Sequence, residues 1–401
     1  MRFLLLNQAF HPDVVSTAQH LTDLALGLVQ RGHHVTVIAS RRAYDSPATR
    51  FPKTETWRGI QILRVGGTGF GKSARWRRAA DFASFLALLA VRLPFLPRPD
   101  VVVALTSPPL ISSLAAAFAR LRRARFLYWL MDFNPDAAIA AGWLRSRPLA
   151  AALHSLSRFS LRHASKIIAL DRFMRDRLIA KAVPPRKISV IPPWSHDAQV
   201  QFSPAGRDAF RKAHGLHSKF VVMHSGNHSP CHPLDTLLAA ARQLAHQPDI
   251  LFCFVGGGSE FPKIQQLAGL RPPPANILCL PYQPLSRLSD SLSAADLHVV
   301  PMGDPFVGLL HPCKIYNLLN LRAPILCLGP HPSHLSDILR ALPPRYPAAA
   351  APHGDVQAVL RHIQHLRRQP REPRPDLPPA LCRSFSRQTL LPKLIAELES
   401  C

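Results

Sequence analysis

The sequence predicts an α/β protein of two doubly wound domains, each a mostly parallel sheet with helices on both faces. Its 401 residues exceed what one hydrophobic core usually organises. Short apolar runs, typical of strands buried on both faces, alternate with amphipathic segments along most of the chain. This alternation stops at residues 192–195, ahead of a polar stretch that runs to about residue 219, and then resumes. We therefore expect two Rossmann-like domains, over residues 1–194 and 195–380, that face one another across a cleft, and a C-terminal helix over residues 381–401 that packs back on the first domain.

The first domain opens with a strand–helix–strand unit. A strand over residues 3–6 precedes an amphipathic helix, and a strand over residues 35–38 follows it. Ser16 or Thr17 is expected to cap the start of the helix, and Gly32 to end it in a left-handed turn. Further strands are predicted at residues 60–65, 101–105, 126–129, 167–170 and 188–191, and further helices at residues 110–121, 148–162 and 172–180.

The second domain repeats the alternation. Its predicted strands lie at residues 220–224, 251–255, 277–280, 297–300 and 325–328. Its predicted helices lie at residues 234–245, 261–270, 285–294 and 314–321, and a final helix at residues 387–398 ends the chain. Two domains of this kind bind ligands outside the carboxyl ends of their strands, where helix N-termini favour phosphate groups.

The charge of the chain predicts an anionic partner. Lys and Arg number 49 against 24 Asp and Glu, which gives a net charge of +25. Nucleic acid, an anionic membrane face and a phosphorylated small molecule all gain from a positive field. We consider nucleic acid unlikely as a partner, because the basic residues are scattered over the whole chain and no helix-turn-helix, RNP or zinc pattern is present.

The cysteines and the apolar runs bear on metal binding and location. The seven cysteines form no CxxC pair, and several lie inside apolar runs, so we expect no metal site and a reducing compartment. No run of 18 apolar residues occurs, and the apolar run at residues 3–6 is too short for a secretory signal. We therefore expect a cytoplasmic protein without a membrane span.

A succession of short motifs carries a family resemblance. They are FHPD at residues 10–13, DVV at 100–102, TSPP at 106–109, DFNPD at 132–136, KISVIPPW at 187–194, SGN at 225–227, VGGG at 255–258, AD at 295–296 and KIY at 314–316. In this order they resemble the GT-B glycosyltransferases of family 4, close to the branch that builds bacterial envelope polysaccharides of the colanic-acid type. The resemblance covers most of the chain.

The resemblance implies a retaining transfer of a sugar from a nucleotide diphosphate sugar, which we take to be a UDP-sugar, to a hydroxyl acceptor. It implies neither a metal nor another cofactor, so protein groups must meet the charge of the leaving diphosphate. Val15 and Ser16 replace the Gly-Gly pair that relatives have in the first loop. At the positions that correspond to the donor site of relatives, we expect this chain to bind the donor through Ser16, Thr17, Gly226, Asn227, His232, Gly256, Gly257, Gly258, Tyr282 and Asn317. Three alternatives stay open: helix capping for Ser16 and Thr17, an ordinary turn for the glycines at 256–258, and packing for Tyr282.

The sequence departs from the family at the positions that carry charge. Relatives have a Glu-x7-Glu pair, where this chain has Leu309 and Asn317, and only the amide can still bind a ribose hydroxyl. Relatives often have a basic pair after the first strand of the second domain, whereas residues 226–235 contain no Lys or Arg. Lys314, at the start of a predicted helix, is therefore the expected catalytic phosphate partner. The alternative is a solvated surface lysine.

Asp132 is the expected second catalytic residue. It follows the predicted strand at residues 126–129 and matches an acidic position of the family branch, where a carboxylate orients or deprotonates the acceptor hydroxyl. The alternative is a carboxylate that caps the helix near Pro135, a role that Asp136 can also fill.

A cationic and apolar segment predicts membrane contact. Arg75, Trp76, Arg77 and Arg78 precede an apolar stretch at residues 82–91. We interpret these residues, together with Phe82 and Phe85 of the stretch, as an element that lies on an anionic membrane surface. The alternative is a core helix with a solvated basic start.

The sequence therefore predicts a hexosyl- or N-acetylhexosaminyltransferase, peripheral on the inner face of the plasma membrane, that acts on a lipid-linked or polysaccharide acceptor. Because both acidic positions at 309 and 317 are substituted, a catalytically inactive relative that binds nucleotide sugar or lipid is the alternative.

Overall fold

The structure is a computed structural model that describes residues 1–44, 48–71, 74–195, 200–269, 276–369 and 376–400. The chain divides into two compact units. The first contains Met1–Pro193, Gly308–His311 and the chain from Gln388 onward, and the second contains Trp194–Val307 and Pro312–Arg387. The division after Pro193 lies one residue before the expected boundary, and the C-terminal segment belongs to the first unit.

The first unit is built on an eight-stranded sheet. Its strands are β1 Arg2–Leu6, β2 His34–Ser40, β3 Thr54–Trp57, β4 Ile60–Val65, β5 Val101–Ala104, β6 Arg125–Trp129, β7 Lys166–Ala169 and β8 Ile188–Val190. They lie in the order β3-β4-β2-β1-β5-β6-β7-β8, and all pairs are parallel except β3 with β4. The central strands β1 and β5 are buried on both faces, which explains their continuous apolar sequences.

The second unit is built on a six-stranded parallel sheet. Its strands are β9 Phe220–Asn227, β10 Ile250–Gly257, β11 Ile277–Leu280, β12 Leu297–Pro301, β13 Ile325–Leu328 and β14 Ala348–Ala351. They lie in the order β11-β10-β9-β12-β13-β14. In each sheet the strand order reverses at the first strand, between β1 and β5 and between β9 and β12. The carboxyl ends at these two points are the places where doubly wound sheets bind ligands.

Helices flank both sheets. They are α1 Ser16–Gln30, α2 Arg75–Arg92, α3 Ile111–Arg122, α4 Asp136–Ala140, α5 Arg147–His163, α6 Arg172–Ala180, α7 Pro204–Ala213, α8 Asp235–Gln243, α9 Phe261–Ala268, α10 Leu288–Ser293, α11 Lys314–Asn320, α12 His334–Ala341, α13 Val356–Arg367, α14 Pro379–Ser384 and α15 Arg387–Ser400. The predicted fold class of two Rossmann-like α/β domains is confirmed.

Helix α15 packs back on the first unit, as expected. The carboxylate of Glu397 accepts hydrogen bonds from Ser189 Oγ at 2.7 Å and from Lys166 Nζ at 2.9 Å. A Cβ added to Gly27 of α1 would lie 2.8 Å from Ile395 Cδ1, so α1 and α15 are in close contact. Glycine at position 27 thus lets the two helices approach each other.

The start of α1 corrects one prediction. The N-cap is Val15, whose side chain makes no capping hydrogen bond, so neither Ser16 nor Thr17 caps this helix. The carbonyl oxygen of Ser16 accepts a hydrogen bond from His20 Nδ1 at 2.8 Å. Gly32 follows the helix with a φ of +79°, which confirms the left-handed turn predicted there.

A buried ion network stabilises the second unit. Asp296 accepts hydrogen bonds from the guanidinium groups of Arg207 at 2.5 Å and Arg211 at 3.2 Å, and from Val221 N at 2.8 Å. All three charged side chains are buried. The two arginines also donate to the backbone carbonyls of Ala294 and Ala295, so the network ties α7 to the chain before β12.

We expect Asp296→Ala to destabilise the second unit by about 3–5 kcal/mol, because it leaves two guanidinium groups buried without their carboxylate. Urea denaturation, followed in the transition of this unit, measures the change. Asp208→Ala is the control, since Asp208 is an exposed carboxylate on α7, and its effect should stay within about 0.5 kcal/mol. Equal unfolding curves for the two variants would contradict the assignment.

Candidate active site

Two glycine-containing loops lie side by side at the carboxyl ends of β9 and β10. Gly226 pairs with Gly256, and both have a positive φ, of +136° and +138°. A Cβ on Gly256 would clash with the carbonyl oxygen of Gly226, and one on Gly258 would clash with that of His228. Close backbone packing between the loops therefore requires glycine here, which favours the turn interpretation for Gly256 and Gly258.

Lys314 contacts the first of these loops. It opens α11, as predicted, and its side chain is half-buried, so it is not the solvated surface lysine of the alternative interpretation. A Cβ added to Gly226 would lie 2.9 Å from Lys314 Nζ, which places the ammonium group directly over the backbone at the end of β9. The second unit thereby supplies a cation to a loop whose own residues, 226–235, include no Lys or Arg.

His224 fixes the position of this ammonium group. Its Nδ1 lies 3.1 Å from the carbonyl oxygen of Val299, so Nδ1 carries the proton and donates it. The other nitrogen, Nε2, is then an acceptor, and Lys314 Nζ lies 3.4 Å from it. Burial, and next the charge of Lys314, hold the pKa of His224 well below its ordinary value, so this imidazole is neutral.

Two further histidines surround the same ammonium group. Burial, followed by the charge of Lys314, lowers the pKa of His228 to about 4 and that of His232 to about 3. His232 Nδ1 lies 3.1 Å from Ser229 Oγ, and the ring of His228 meets that of His224 edge-on at 4.8 Å between centroids. We call His224, His228, His232 and Lys314 the lysine–histidine cluster.

The cluster contains one titratable cation at neutral pH. Burial lowers the pKa of Lys314 itself to about 8, because the charged amine loses water and no carboxylate replaces it among its described neighbours. A phosphate oxyanion would restore the lost stabilisation of the ammonium ion. Chemically, the cluster is suited to an anion at the carboxyl end of β9.

The other predicted donor residues of the second unit lie near this cluster or beside the glycine loops. Asn317 is half-buried and stands one turn after Lys314 on α11. Asn227 is exposed at the end of β9. Tyr282 is 56% exposed, and its hydroxyl lies 3.5 Å from the carbonyl oxygen of Gly257. Much of its ring is therefore open to solvent, although its hydroxyl also contacts the loop.

Asp132 lies after β6 in the first unit. Thr106 Oγ1 donates a hydrogen bond to its Oδ2 at 3.5 Å. Burial raises the pKa of Asp132 to about 6, against the opposing effects of the Thr106 hydrogen bond and the charge of Arg78. A carboxyl group with this pKa is ionised at neutral pH and is more basic than an ordinary aspartate, as a general base requires.

Asp132 does not cap helix α4 in the structure. The N-cap of α4 is Pro135, and no side chain makes a capping hydrogen bond there. Asp136 is the first residue of α4 and forms an ion pair with Lys181 at 2.8 Å. Asp132 therefore does not cap α4, whereas Asp136 lies in the first turn of this helix.

Leu309 occupies the position of the missing first acid of the family. Its side chain is buried, and its carbonyl oxygen accepts a hydrogen bond from Phe133 N at 2.8 Å in the first unit. A core leucine thus replaces the carboxylate. Ser16 and Thr17 also belong to the first unit, where both are half-buried in the first turn of α1.

Helix α2 carries the predicted membrane element, and the structure corrects part of it. Trp76 is 63% exposed and Arg77 is exposed, as a surface element requires. Phe85 is only 1% exposed, so it belongs to the core of the first unit and not to a membrane face. Helical periodicity turns Phe85 inward, because it stands nine residues, or two and a half turns, after Trp76.

The remaining members of the element differ from one another. Arg78 and Phe82 are half-buried and line a cavity of the first unit. The side chain of Arg75 lies outside the described part of the chain. Phe70 is 50% exposed, and its ring lies 5.9 Å from that of Trp76, so it extends the aromatic surface beyond the prediction. Within the described ranges, no helix has both the length and the apolar composition needed to cross a bilayer.

Comparison with known families matches both units. Residues 17–194 match the model of the glycosyl transferase 4-like domain, and residues 206–306 match the model of glycosyl transferases group 1. No match was found among curated protein sequences.

Solved structures of similar fold span the whole chain. Sucrose-phosphate synthase from Thermosynechococcus elongatus superposes with a TM-score of 0.73 at 14% identity, over 100% of this chain and 98% of that one. HepE from Anabaena, solved with UDP and glucose, gives a TM-score of 0.70 at 16% identity over 100% of both chains. WaaG, a glycosyltransferase involved in lipopolysaccharide biosynthesis, gives 0.64 at 14% identity over 99% of both. With its two matched domains in this order and its GT-B fold, the chain belongs to the GT-B glycosyltransferases.

Proposed function

We propose that the protein transfers a hexosyl or N-acetylhexosaminyl group from a UDP-sugar to a lipid-linked or polysaccharide acceptor. Transfer proceeds with retention of configuration and contributes to cell-envelope polysaccharide synthesis. The enzyme works on the inner face of the plasma membrane. Each of these details goes beyond membership of the GT-B glycosyltransferases.

The observation that carries the proposal is the lysine–histidine cluster. Its ammonium group lies over the backbone of Gly226, at the strand end where doubly wound sheets bind phosphates. Breaking the sugar–phosphate bond places negative charge on the leaving diphosphate, and a fixed cation in a dry site stabilises that charge most effectively. The three neutral histidines leave the ammonium group as the centre of positive charge in the cluster.

Two of the similar structures support the choice of donor and acceptor. HepE was solved with UDP and glucose, which favours a UDP-sugar as the donor here. WaaG is involved in lipopolysaccharide biosynthesis, which favours an envelope acceptor. The exposed Trp76, Arg77 and Phe70 give the first unit an aromatic and cationic surface suited to an anionic membrane.

Asp132 takes the role of general base or orienting group for the acceptor hydroxyl. Its raised pKa suits proton transfer near neutral pH. No metal takes part in the proposed mechanism, since the diphosphate charge is met by Lys314.

Leu309 favours a second candidate function. A buried leucine cannot contact a donor sugar as a carboxylate does, so the protein could instead be an inactive relative that binds nucleotide sugar or lipid. Donor binding without turnover distinguishes this candidate from the transferase.

The test is release of nucleotide diphosphate by the purified protein from a panel of nucleotide sugars, with and without a bacterial lipid extract. We expect release from one UDP-sugar that depends on the extract and is unchanged by EDTA. An EDTA-sensitive release would overturn the metal-free mechanism. Binding of a donor without release, for every donor and with the extract present, would overturn the transferase and leave the binding protein.

A further inference from the structure

The first unit contains a cavity that the donor chemistry does not use. It lies at the carboxyl ends of β1, β2 and β4 and against α2, and its volume is about 50 Å³. One water molecule needs roughly 10–15 Å³ of such space, so the cavity suits a group the size of a phosphate. Its polar and aromatic lining includes Gln8, Arg42, Tyr44, Arg78, Asp81 and Phe82.

The two guanidinium groups of the cavity are held in place by their neighbours. Arg78 Nη2 donates to the hydroxyl of Tyr44 at 3.3 Å, and its guanidinium lies 5.3 Å from the centre of the Phe82 ring. Arg42 Nε donates to the carbonyl oxygen of Gly67 at 3.4 Å, and a Cβ on Gly69 would clash with the Arg42 guanidinium. Arginine pairs fixed in this way are suited to planar, bidentate recognition of oxyanions.

The one acidic side chain of the lining is already engaged by the loop after β4. Asp81 accepts hydrogen bonds from the backbone N–H groups of Phe70 at 2.8 Å and Gly71 at 2.9 Å. It also accepts one from Thr68 Oγ1 at 2.6 Å. These contacts fasten the loop to α2. With two arginines against one aspartate, the described lining is net positive and selects an anionic group.

An unsatisfied acceptor points to a ligand with a hydroxyl group. The carboxamide oxygen of Gln8 is buried and makes no hydrogen bond within the described residues. Such an atom is costly unless a donor meets it, and a sugar hydroxyl would do so. The backbone N–H of Gln8 donates to Ser107 O at 2.6 Å, beside Thr106, which in turn bonds Asp132. Hydrogen bonds through residues 107 and 106 thus connect Gln8 of the cavity lining to the proposed base.

The surroundings of the cavity favour a lipid-linked ligand. Phe70, from the loop, and Trp76, from α2, are both exposed, and these two segments also border the cavity. A phosphate at this place could continue into an acyl or prenyl chain along an aromatic surface.

We propose that this cavity binds a phosphate group of a lipid-linked acceptor, held by Arg42 and Arg78, with the acceptor sugar directed past Gln8 toward Asp132. This inference rests on the proposed function, because it names the acceptor of that reaction. Arg78, whose charge also lowers the pKa of Asp132, is the residue that joins acceptor binding to the base.

The test is calorimetric titration of the full-length protein with farnesyl diphosphate, with saturating UDP present so that the donor's diphosphate site is filled. We expect Arg78→Ala and Arg42→Ala each to weaken binding by at least about tenfold, the effect of losing a charge-assisted hydrogen bond. Arg78→Lys keeps the positive charge but loses the bidentate hydrogen-bond geometry of the guanidinium group, so it should weaken binding less than Arg78→Ala. Arg92→Ala removes an exposed arginine from the far end of the same helix and should leave the affinity unchanged. UDP affinity and thermal unfolding, measured in parallel, should be the same for all variants.

Farnesol and inorganic diphosphate separate the possible sources of affinity. We expect no binding of farnesol, and weaker binding of diphosphate than of farnesyl diphosphate. Equal binding of the two diphosphates would overturn the lipid part of the inference. The phosphate site would be overturned if the wild type did not bind farnesyl diphosphate, or if neither arginine variant changed its affinity. Normal UDP binding in the same experiment would leave the proposed function standing. If the wild type did not bind UDP, that result would instead count against the proposed function.

Discussion

Lys314→Ala is expected to lower kcat/KM for the UDP-sugar by about a hundredfold or more. Removal of one preorganised group that stabilises charge in a transition state typically has an effect of 10²–10³. The physical reason is the position of the ammonium group, over Gly226 at the end of β9, with neutral histidines around it. Nucleotide diphosphate release at varied donor concentration measures the change.

Lys314→Met and Lys212→Ala are the matched controls for this variant. The methionine fills the space of the lysine stem without a charge, so it should be as inactive as the alanine variant. Lys212 is an exposed lysine at the end of α7, and its removal should leave turnover unchanged. Turnover of Lys314→Met within about threefold of the wild type would remove Lys314 from the reaction.

The pKa of Lys314 predicts the alkaline limb of the pH profile. In the free enzyme, burial lowers this pKa to about 8, and only the protonated amine attracts the diphosphate. We expect kcat/KM for the donor to fall above about pH 8, whereas kcat at saturating donor should persist to higher pH, because a bound diphosphate stabilises the ammonium ion.

Asp132→Asn is expected to lower kcat by about 10²–10⁴, the range that general-base catalysis contributes. The amide is nearly isosteric with the carboxylate, so binding and folding should change little while the proton acceptor is lost. In the wild type, kcat should fall below about pH 6, since burial raises the pKa of Asp132 to about 6 and the protonated acid is not a base. The variant should lack this acidic limb.

Asp136→Asn controls for the loss of a nearby carboxylate, because Asp136 opens α4 and pairs with Lys181. Its turnover should match that of the wild type. Thr106→Val removes the hydrogen bond that lowers the pKa of Asp132, so it should move the acidic limb upward in pH. An acidic limb that stays in place in Asp132→Asn would show that another group titrates there.

The sequence was sufficient to predict the fold because its strands are buried on both faces. Strands such as β1 and β5 are continuous apolar runs between amphipathic helices, a pattern that can be recognised from a short stretch of sequence. The strands that were missed have other compositions. The side chains of β3, TETW, alternate between exposed and half-buried at a sheet edge, and β14 consists of four alanines, which individually favour helix.

The candidate site was only partly predictable. The sequence predicts Lys314 and His232 as site residues, but it does not show that His224 of β9 lies 3.4 Å from Lys314, ninety residues away along the chain. The role of these histidines depends on their burial, because burial lowers their pKa and makes the imidazoles neutral. The sequence alone does not show how deeply a histidine is buried. The prediction for Phe85 was wrong for the same reason, because the sequence of an apolar helix next to arginines is compatible with contact to a membrane and with burial in the core.

The most direct test of the account is a calorimetric comparison of UDP with uridine at pH 7, below the pKa of Lys314. We expect the wild type to bind UDP at least about tenfold more tightly than uridine, because a charge-assisted contact to the diphosphate adds about 1.5–3 kcal/mol. Lys314→Met should bind both ligands with the same, weaker affinity. If the variant keeps the full preference of the wild type for UDP, the lysine–histidine cluster does not hold the diphosphate and the proposed mechanism is contradicted.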